Sequence, residues 1–150
     1  RESDSGVRVG LDYIPVEGAM GSETRADTDY TTGDGASVTR KAKADLTNHI
    51  TLYTEIPLRS SNFFVRAGVV SVTISTDENL DSTGSTYPDD DVMGYNIGLG
   101  HMRDIGTSGF LKITLNHVNY GDIELTSSSS NKITADADRT GLQFSFGKKF

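Results

Sequence analysis

The chain has 150 residues, a formal net charge of −7 and no cysteine. This length suits one domain, and the cysteine count excludes disulfides and thiolate metal sites. The negative charge argues against a general nucleic-acid surface, which needs clustered Lys and Arg. No apolar run approaches the ~18 residues of a membrane-spanning helix. A membrane β-barrel stays open as an interpretation, because its signal is alternation.

Six segments alternate between apolar and polar residues with the period of two that a β-strand requires. They span residues 7–13, 41–58, 63–74, 93–100, 111–116 and 141–150. In the third segment the apolar residues change phase between Val69 and Val70. This change predicts a bulge, or a strand that leaves its apolar surroundings. No amphipathic helix is evident, so the sequence predicts an all-β fold.

The connections between the segments alternate in length. Long polar stretches at 17–37, 76–91 and 126–138 are predicted as loops, and short turns are predicted at 59–62 and 103–109. Outer-membrane barrels combine short periplasmic turns with long extracellular loops. The pattern therefore predicts an up-and-down antiparallel sheet whose C-terminus lies on the short-turn side.

The polar faces of the segments combine glycines with charges of both signs. Glycine weakens a strand interior, but a narrow barrel needs small residues where larger side chains cross its lumen. Enclosed charges are tolerated only when they are paired, and an eight-stranded barrel is just wide enough for side chains to fill it. The predicted lumen network consists of Arg8, Asp12, Lys43, Asp45, Glu55, Arg66 and Lys112. The predicted lipid-facing residues are Leu11, Ile50, Leu52, Val65, Ile97, Leu99, Ile113, Phe144 and Phe146.

The last segment carries the most specific pattern. Its apolar residues alternate up to the final position, and they are Leu142, Phe144, Phe146 and Phe150. This end is similar to the signal by which outer-membrane barrels are recognised for assembly, and nearly the whole chain resembles the OmpA/OmpX-like porin superfamily. Two departures are Lys148, at a position that is usually apolar or aromatic, and the absence of Trp. The resemblance implies a bacterial outer-membrane location, contact with the lipid bilayer and lipopolysaccharide, and the barrel assembly machinery as a partner.

Six segments are too few for closure, because bacterial single-chain barrels have even strand counts of at least eight. The expectation is therefore an antiparallel up-and-down transmembrane β-barrel of about eight strands. Residues 1–150 would form one barrel domain that lacks an N-terminal hairpin before Arg1. The alternatives are strands merged within the long segments, or several chains that build one barrel. A hairpin within 17–37 is disfavoured because that stretch is polar and does not alternate.

The predicted long loops are acidic. Clustered carboxylates can bind Ca²⁺ through six to eight oxygens, and the candidates are Asp27, Asp29, Asp34, Asp89, Asp90 and Asp91. Neither an EF-hand nor a calcium-binding repeat is present, so solubility and weak cation attraction are the simpler interpretation. No other cofactor is predicted. The histidines lack metal-ligand spacing, and the serines of 126–131 lack a nucleophile elbow, so no enzyme activity is predicted.

These features predict a structural protein or narrow porin of the outer membrane, whose acidic extracellular loops meet cations, phage or other surface ligands. The alternative is a soluble, secreted β-sandwich that serves as a binding module or as a structural subunit of a surface or viral assembly. A sandwich would bury Phe144 and Phe146 against a second sheet. A barrel would expose both to lipid.

Overall fold

The computed structural model describes residues 6–29, 35–59, 61–79, 86–128, 130 and 132–149. The described residues contain seven strands: β1 (Arg8–Ile14), β2 (Gly18–Asp29), β3 (Ala36–Pro57), β4 (Phe63–Asn79), β5 (Asp90–Ile105), β6 (Gly109–Thr126) and β7 (Lys132–Lys148). All pairs are antiparallel, in the order β1-β3-β4-β5-β6-β7, and β2 also pairs with β3. The predicted all-β antiparallel sheet is confirmed.

The strands β1 and β2 occupy one row of the sheet. β1 pairs with one half of β3, from Arg8↔Glu55 to Ile14↔His49, and β2 pairs with the other half, beginning at Gly18↔Leu46. The row is interrupted at 15–17, where Pro15 has no N–H to donate to a partner strand. Because β1 and β2 share a row, the seven strands fill six rows, which correspond to the six predicted segments.

The prediction of long loops is wrong for much of their length. β2 covers residues 18–29 of the stretch 17–37 and forms a hairpin with the first part of β3. β4 continues to Asn79, and β7 begins at Lys132. These extensions are polar on their outer faces and carry few large apolar residues, so the sequence gives little sign of a strand. Antiparallel pairing satisfies their backbone N–H and C=O groups whatever the side chains are.

The phase change in β4 does not come from a bulge in that strand. Its pairing with β5 is unbroken from Phe63↔His101 to Ile74↔Asp90. Phe64, Val70 and Ile74 lie on one buried face, whereas Val69 is 52% exposed on the other. The apolar residues therefore move from the exposed face to the buried face halfway along a regular strand.

The register breaks lie in the neighbouring rows. In β3 the pairing with β4 shifts between Thr47 and Ile50, and Asn48 has a φ of 51°, a region that Asn tolerates better than most residues. The extra residue reverses the alternation, so that Leu46 and His49 both point to the buried face. A similar break in β6 lies between Asn119 and Asp122.

The buried face carries an apolar core at the end of the sheet where the polar extensions lie. We call this cluster the apolar core; it comprises Val70, Val72, Ile74, Val92, Val118, Tyr120 and Ile123. Leu46, Leu125 and Ala137 pack against it. Burial of these residues supplies the hydrophobic stabilisation of the strand extensions.

The sheet curls so that this buried inner face meets itself. Lys112 Nζ of β6 lies 2.6 Å from Glu55 Oε1 of β3, although β4 and β5 lie between them in the strand order. Gln143 Nε2 of β7 lies 3.3 Å from Asp12 Oδ2 of β1. β1 and β7 are nevertheless not paired with each other. The described sheet is thus strongly curled but open, and the predicted closure is not seen.

Replacing Ile74 by Ala tests the apolar core. Ile74 is 1% exposed, and loss of a buried Ile side chain typically lowers the free energy of unfolding by ~2–5 kcal/mol. The matched control is Val69→Ala, on the exposed face of the same strand. Urea titration of the refolded protein should show a large decrease in the free energy of unfolding for Ile74→Ala and a small decrease for the control. Equal decreases would contradict the face switch.

Candidate functional site

The outer face of the sheet carries a belt of exposed apolar residues. We call it the outer belt; its members are Val9, Leu11, Tyr13, Ile50, Leu52, Ile56, Phe63, Val65, Val69, Met93, Tyr95, Ile97, Leu99, Leu111, Ile113, Leu115, Leu142, Phe144 and Phe146. Phe146 is the most exposed, at 88%. All nine predicted lipid-facing residues belong to this belt. Apolar side chains therefore cover the face that a soluble sheet would present to water.

The outer belt is continuous across the strand pairs. Leu11 lies opposite Leu52, and Leu52 lies opposite Val69. Farther along the sheet, Leu115 pairs with both Leu99 and Leu142. In β5 the belt runs from Met93 to Leu99, which is roughly 20 Å along the strand.

The inner face behind the outer belt is charged and buried. Glu55 is only 2% exposed. Its two carboxylate oxygens accept hydrogen bonds from two cations, Lys112 Nζ at 2.6 Å and Arg8 Nε at 3.2 Å. A buried carboxylate without partners would be strongly unfavourable. The paired cations therefore hold β1, β3 and β6 around one anion.

Arg66 forms a second centre of this network. Its guanidinium donates to Asn96 Oδ1 at 3.0 Å and Gln143 Oε1 at 3.2 Å, and it also bonds to Asp12 Oδ2. The ring of Tyr53 lies 3.4 Å from the guanidinium carbon, in cation–π contact. The planar fork of Arg suits several simultaneous acceptors better than Lys does. Arg66 consequently connects β1, β3, β5 and β7 from its position on β4.

Aromatic rings cross the inner face where the facing residues are glycines. A side chain at Gly10 would overlap the ring of Tyr53, and one at Gly100 would overlap the ring of Phe64. The ring of Phe64 also lies 5.4 Å from the guanidinium carbon of Arg8. These glycines give the rings room to pack against the charged network.

Two residues of the predicted lumen network lie elsewhere. The register break in β3 places Lys43 and Asp45 on the outer face, whereas Arg8, Asp12, Glu55, Arg66 and Lys112 lie on the inner face. Lys43 Nζ lies 2.5 Å from Asp45 Oδ2, and this hydrogen bond raises the pKa of Lys43 above its ordinary value. The extra residue at Asn48 separates these two residues from the other five, although Asp45 is only 8% exposed.

A polar cavity of about 290 Å³ opens beside Arg66 on the inner face. Its lining includes Asp12, His49, Asn116 and Arg139. Nδ1 and Nε2 of His49 and Oδ1 of Asn116 are buried without a hydrogen-bond partner in the described part of the chain. The cavity is bounded by residues of both sheet edges, β1 and β7, so closure of the sheet would enclose it.

Three members of the predicted assembly signal, Leu142, Phe144 and Phe146, form a ladder on the outer face of β7. Phe150 lies outside the described residues. The three side chains are adjacent to the free edge of the sheet, because among the described residues β7 pairs with β6 alone. A partner strand added at this edge would contact them directly.

The calcium candidates are not gathered into a site among the described residues, where no cluster of three metal-ligating side chains occurs. Asp91 Oδ1 accepts a hydrogen bond from Thr73 Oγ1 at 2.7 Å, and Asp89 accepts one from the N–H of Thr76. Asp90 begins β5. Asp34 and the side chains of Asp27 and Asp29 lie outside the described part. Calcium binding stays a prediction.

Several residues of the network were missed in the sequence. They are the neutral side chains Tyr53, Asn96, Asn116 and Gln143, which satisfy or stack on the charges. Their alternation with apolar neighbours, as Gln143 between Leu142 and Phe144, places them on the charged face. Their position between apolar neighbours, rather than their charge, is the sequence signal for membership of the network.

Comparison with known proteins gives no family. The chain matches no protein-family model, and it has no significant match among curated proteins or solved structures. A search of the described residues for a helix that is long and apolar enough to cross a membrane finds none.

Replacing Glu55 by Gln tests the buried network. The substitution removes the charge that Arg8 and Lys112 share, and breaking a buried ion pair typically costs ~3–5 kcal/mol of unfolding free energy. The matched control is Asp104→Asn, which removes the exposed ion pair with Lys149 and should cost about 1 kcal/mol or less. Urea titration at two salt concentrations measures the free energy of unfolding of both variants. Comparable losses would contradict the central position of Glu55.

Proposed function

We propose that the chain is a transmembrane β-barrel protein of the bacterial outer membrane with a structural role, and that the outer belt is its contact with lipid. The proposal rests on the polarity of one half of the sheet, which is the reverse of that of a soluble protein. There, charged residues such as Glu55 and Arg66 are buried on the inner face, while apolar residues such as Phe144 and Phe146 are exposed on the outer face.

The extent of the outer belt favours lipid over water. Soluble monomers rarely expose contiguous apolar patches larger than a few hundred Å², whereas the belt crosses all six rows of the sheet. Barrels of the outer membrane carry an outward apolar band ~25 Å tall around a polar interior. The belt in β5, at roughly 20 Å along a strand, is shorter than this band, but its apolar-out and polar-in arrangement is the same.

The proposal requires the two sheet edges to be satisfied, because unpaired backbone groups are costly in lipid. The contact between Asp12 and Gln143 bounds the gap between these edges. Two side chains of this length that meet at 3.3 Å have Cα atoms at most roughly 12 Å apart. One added strand fits this distance, since paired strands lie ~4.8 Å apart, but it would give an odd number of rows, whereas bacterial single-chain barrels have an even number. Two added strands would require the contact to open.

The ends of the sheet support an orientation. Short connections join β3 to β4 and β5 to β6 at the end where the outer belt lies. At the other end, polar strand extensions continue beyond the belt. In the proposed arrangement the short turns are periplasmic, and the polar, acidic extensions face lipopolysaccharide, cations or phage outside the cell.

A structural role is favoured over that of a narrow porin. Side chains of the network cross the inner face behind the outer belt, and the apolar core occupies it beyond, with a cavity beside Arg66 and another beside the core. An aqueous channel needs a polar, open interior. In this proposal the barrel assembly machinery recognises the ladder of Leu142, Phe144 and Phe146 during insertion.

The alternative of a soluble β-sandwich has less support. A sandwich has two sheets packed face to face around an apolar core. The described strands form a single sheet, and Phe144 is 68% exposed. A sandwich also buries apolar residues on its inner faces, whereas Glu55, Arg66 and Lys112 are buried here.

Replacing Ile97 by Arg tests the lipid contact. An Arg at the bilayer midplane typically destabilises a membrane barrel by ~2–4 kcal/mol, so the folded fraction in lipid vesicles should fall. The matched control is Thr134→Arg, which lies on the outer face of β7 beyond the belt and should fold like the parent chain. Folding is read from the shift in gel migration between boiled and unboiled samples.

The solubility and gel migration of the parent chain can also contradict the proposed lipid contact. A membrane barrel needs detergent or lipid for solubility and migrates differently before and after boiling. If the parent chain dissolves as a monomer in plain buffer and its migration does not change on boiling, the outer belt is not a lipid contact.

A further inference from the structure

A second cavity, of about 450 Å³, lies on the inner face beside the apolar core. Ile74 and Ile123, which are 1% and 2% exposed, belong to both the core and the cavity lining. Small residues of two strands, Ala42, Ala44 and Ala135, widen it. Its volume lies within the ~300–1,000 Å³ of small-molecule sites, which are mostly apolar with few polar groups.

The cavity suits a small apolar molecule better than a peptide. Its lining comes from both ends of the strand order, with Met20 of β2 on one side and Ile133 of β7 on the other. Met20 and Ile133 are 39% and 47% exposed although they belong to the polar extensions. These apolar surfaces lie beyond the outer belt, so the proposed bilayer contact does not account for them.

Charges at the cavity select against an anion. Glu23 and Glu78 contribute to the lining, and Glu78 Oε1 accepts a hydrogen bond from the N–H of Tyr87 at 3.2 Å. Lys43 also borders the cavity, but its ammonium group is paired with Asp45. A bound carboxylate or phosphate would therefore meet carboxylates of like charge, and the lysine among the described lining residues is already paired.

We propose that this cavity binds an uncharged hydrophobic molecule with an alkyl chain or an aromatic ring. Binding replaces water on the apolar lining, which is favourable in proportion to the apolar area covered. The hydroxyl of Thr76 already donates to the carbonyl of Tyr87 at 2.7 Å. This hydroxyl of the lining therefore does not need a hydrogen bond to the ligand. The proposal does not depend on the outer belt being a lipid contact.

Fluorescence energy transfer tests the proposal, because the chain contains no Trp. In the Tyr87→Trp variant the new indole borders the cavity, and in the control variant Tyr95→Trp it lies in the outer belt. Each refolded protein is titrated with N-phenyl-1-naphthylamine, an uncharged hydrophobic fluorophore. Tyr87→Trp should show saturable transfer with a 1:1 stoichiometry. Tyr95→Trp should show weaker saturable transfer than Tyr87→Trp, because its indole lies about 13 Å farther along the strands from the cavity.

Two further substitutions locate the bound fluorophore. Adding Ala135→Phe to the Tyr87→Trp variant fills the cavity and should weaken binding at least about tenfold, which corresponds to ~1.4 kcal/mol. Adding Thr134→Phe instead places the same ring on the opposite face of β7 and should leave binding unchanged. Equal effects of the two substitutions, or saturable transfer in Tyr95→Trp that is at least as strong as in Tyr87→Trp, would overturn the proposal.

Competition on the Tyr87→Trp protein gives a result that needs no cavity-filling variant. 1-Decanol should displace the fluorophore, and decanoate should require at least about ten times the concentration. Displacement by decanoate at equal concentration would exclude an uncharged ligand class. Transfer that never saturates would exclude the site itself, and it would leave the gel-shift test of the outer belt unaffected.

Discussion

The pairing of charges on a buried sheet face is the constraint on which this structure depends. The carboxylate of Glu55 is enclosed, so it must be held by cations from strands on either side. The guanidinium of Arg66 likewise needs acceptors, and Asp12, Asn96 and Gln143 provide them. No flat sheet could bring residues of β1, β4 and β7 together. Pairing these charges therefore requires a curled sheet, and the curl in turn brings the paired groups within hydrogen-bond distance.

The positions of the strand rows were predictable from sequence, but their lengths were not. Where one face is apolar, a period of two is visible, and it identified all six rows. Beyond the outer belt the extensions are polar on the outside, as at Thr24 of β2, and the backbone pairing that holds them cannot be seen in the composition. A polar strand and a polar loop therefore look alike until the partner strand is known.

The inner network was predictable where alternation is regular and not where it breaks. Arg8, Asp12, Glu55, Arg66 and Lys112 follow from parity with their apolar neighbours. Lys43 and Asp45 do not, because Asn48 adds one residue to β3 and reverses every side chain beyond it. An Asn within a β-branched stretch is a weak local signal. Its positive φ and the register shift against β4 are visible only in the folded sheet.

The abrupt boundary between the outer belt and the polar extensions has a consequence for immersion depth. On β7 the outer face changes from Leu142 to Thr140 and then Asp138 within four residues. A shift of one residue pair, ~7 Å along the strand, would carry the hydroxyl of Thr140 into an apolar layer or lift a leucine into water. Either displacement is costly. At any interface between oil and water, the molecule would consequently settle at one level and resist vertical drift.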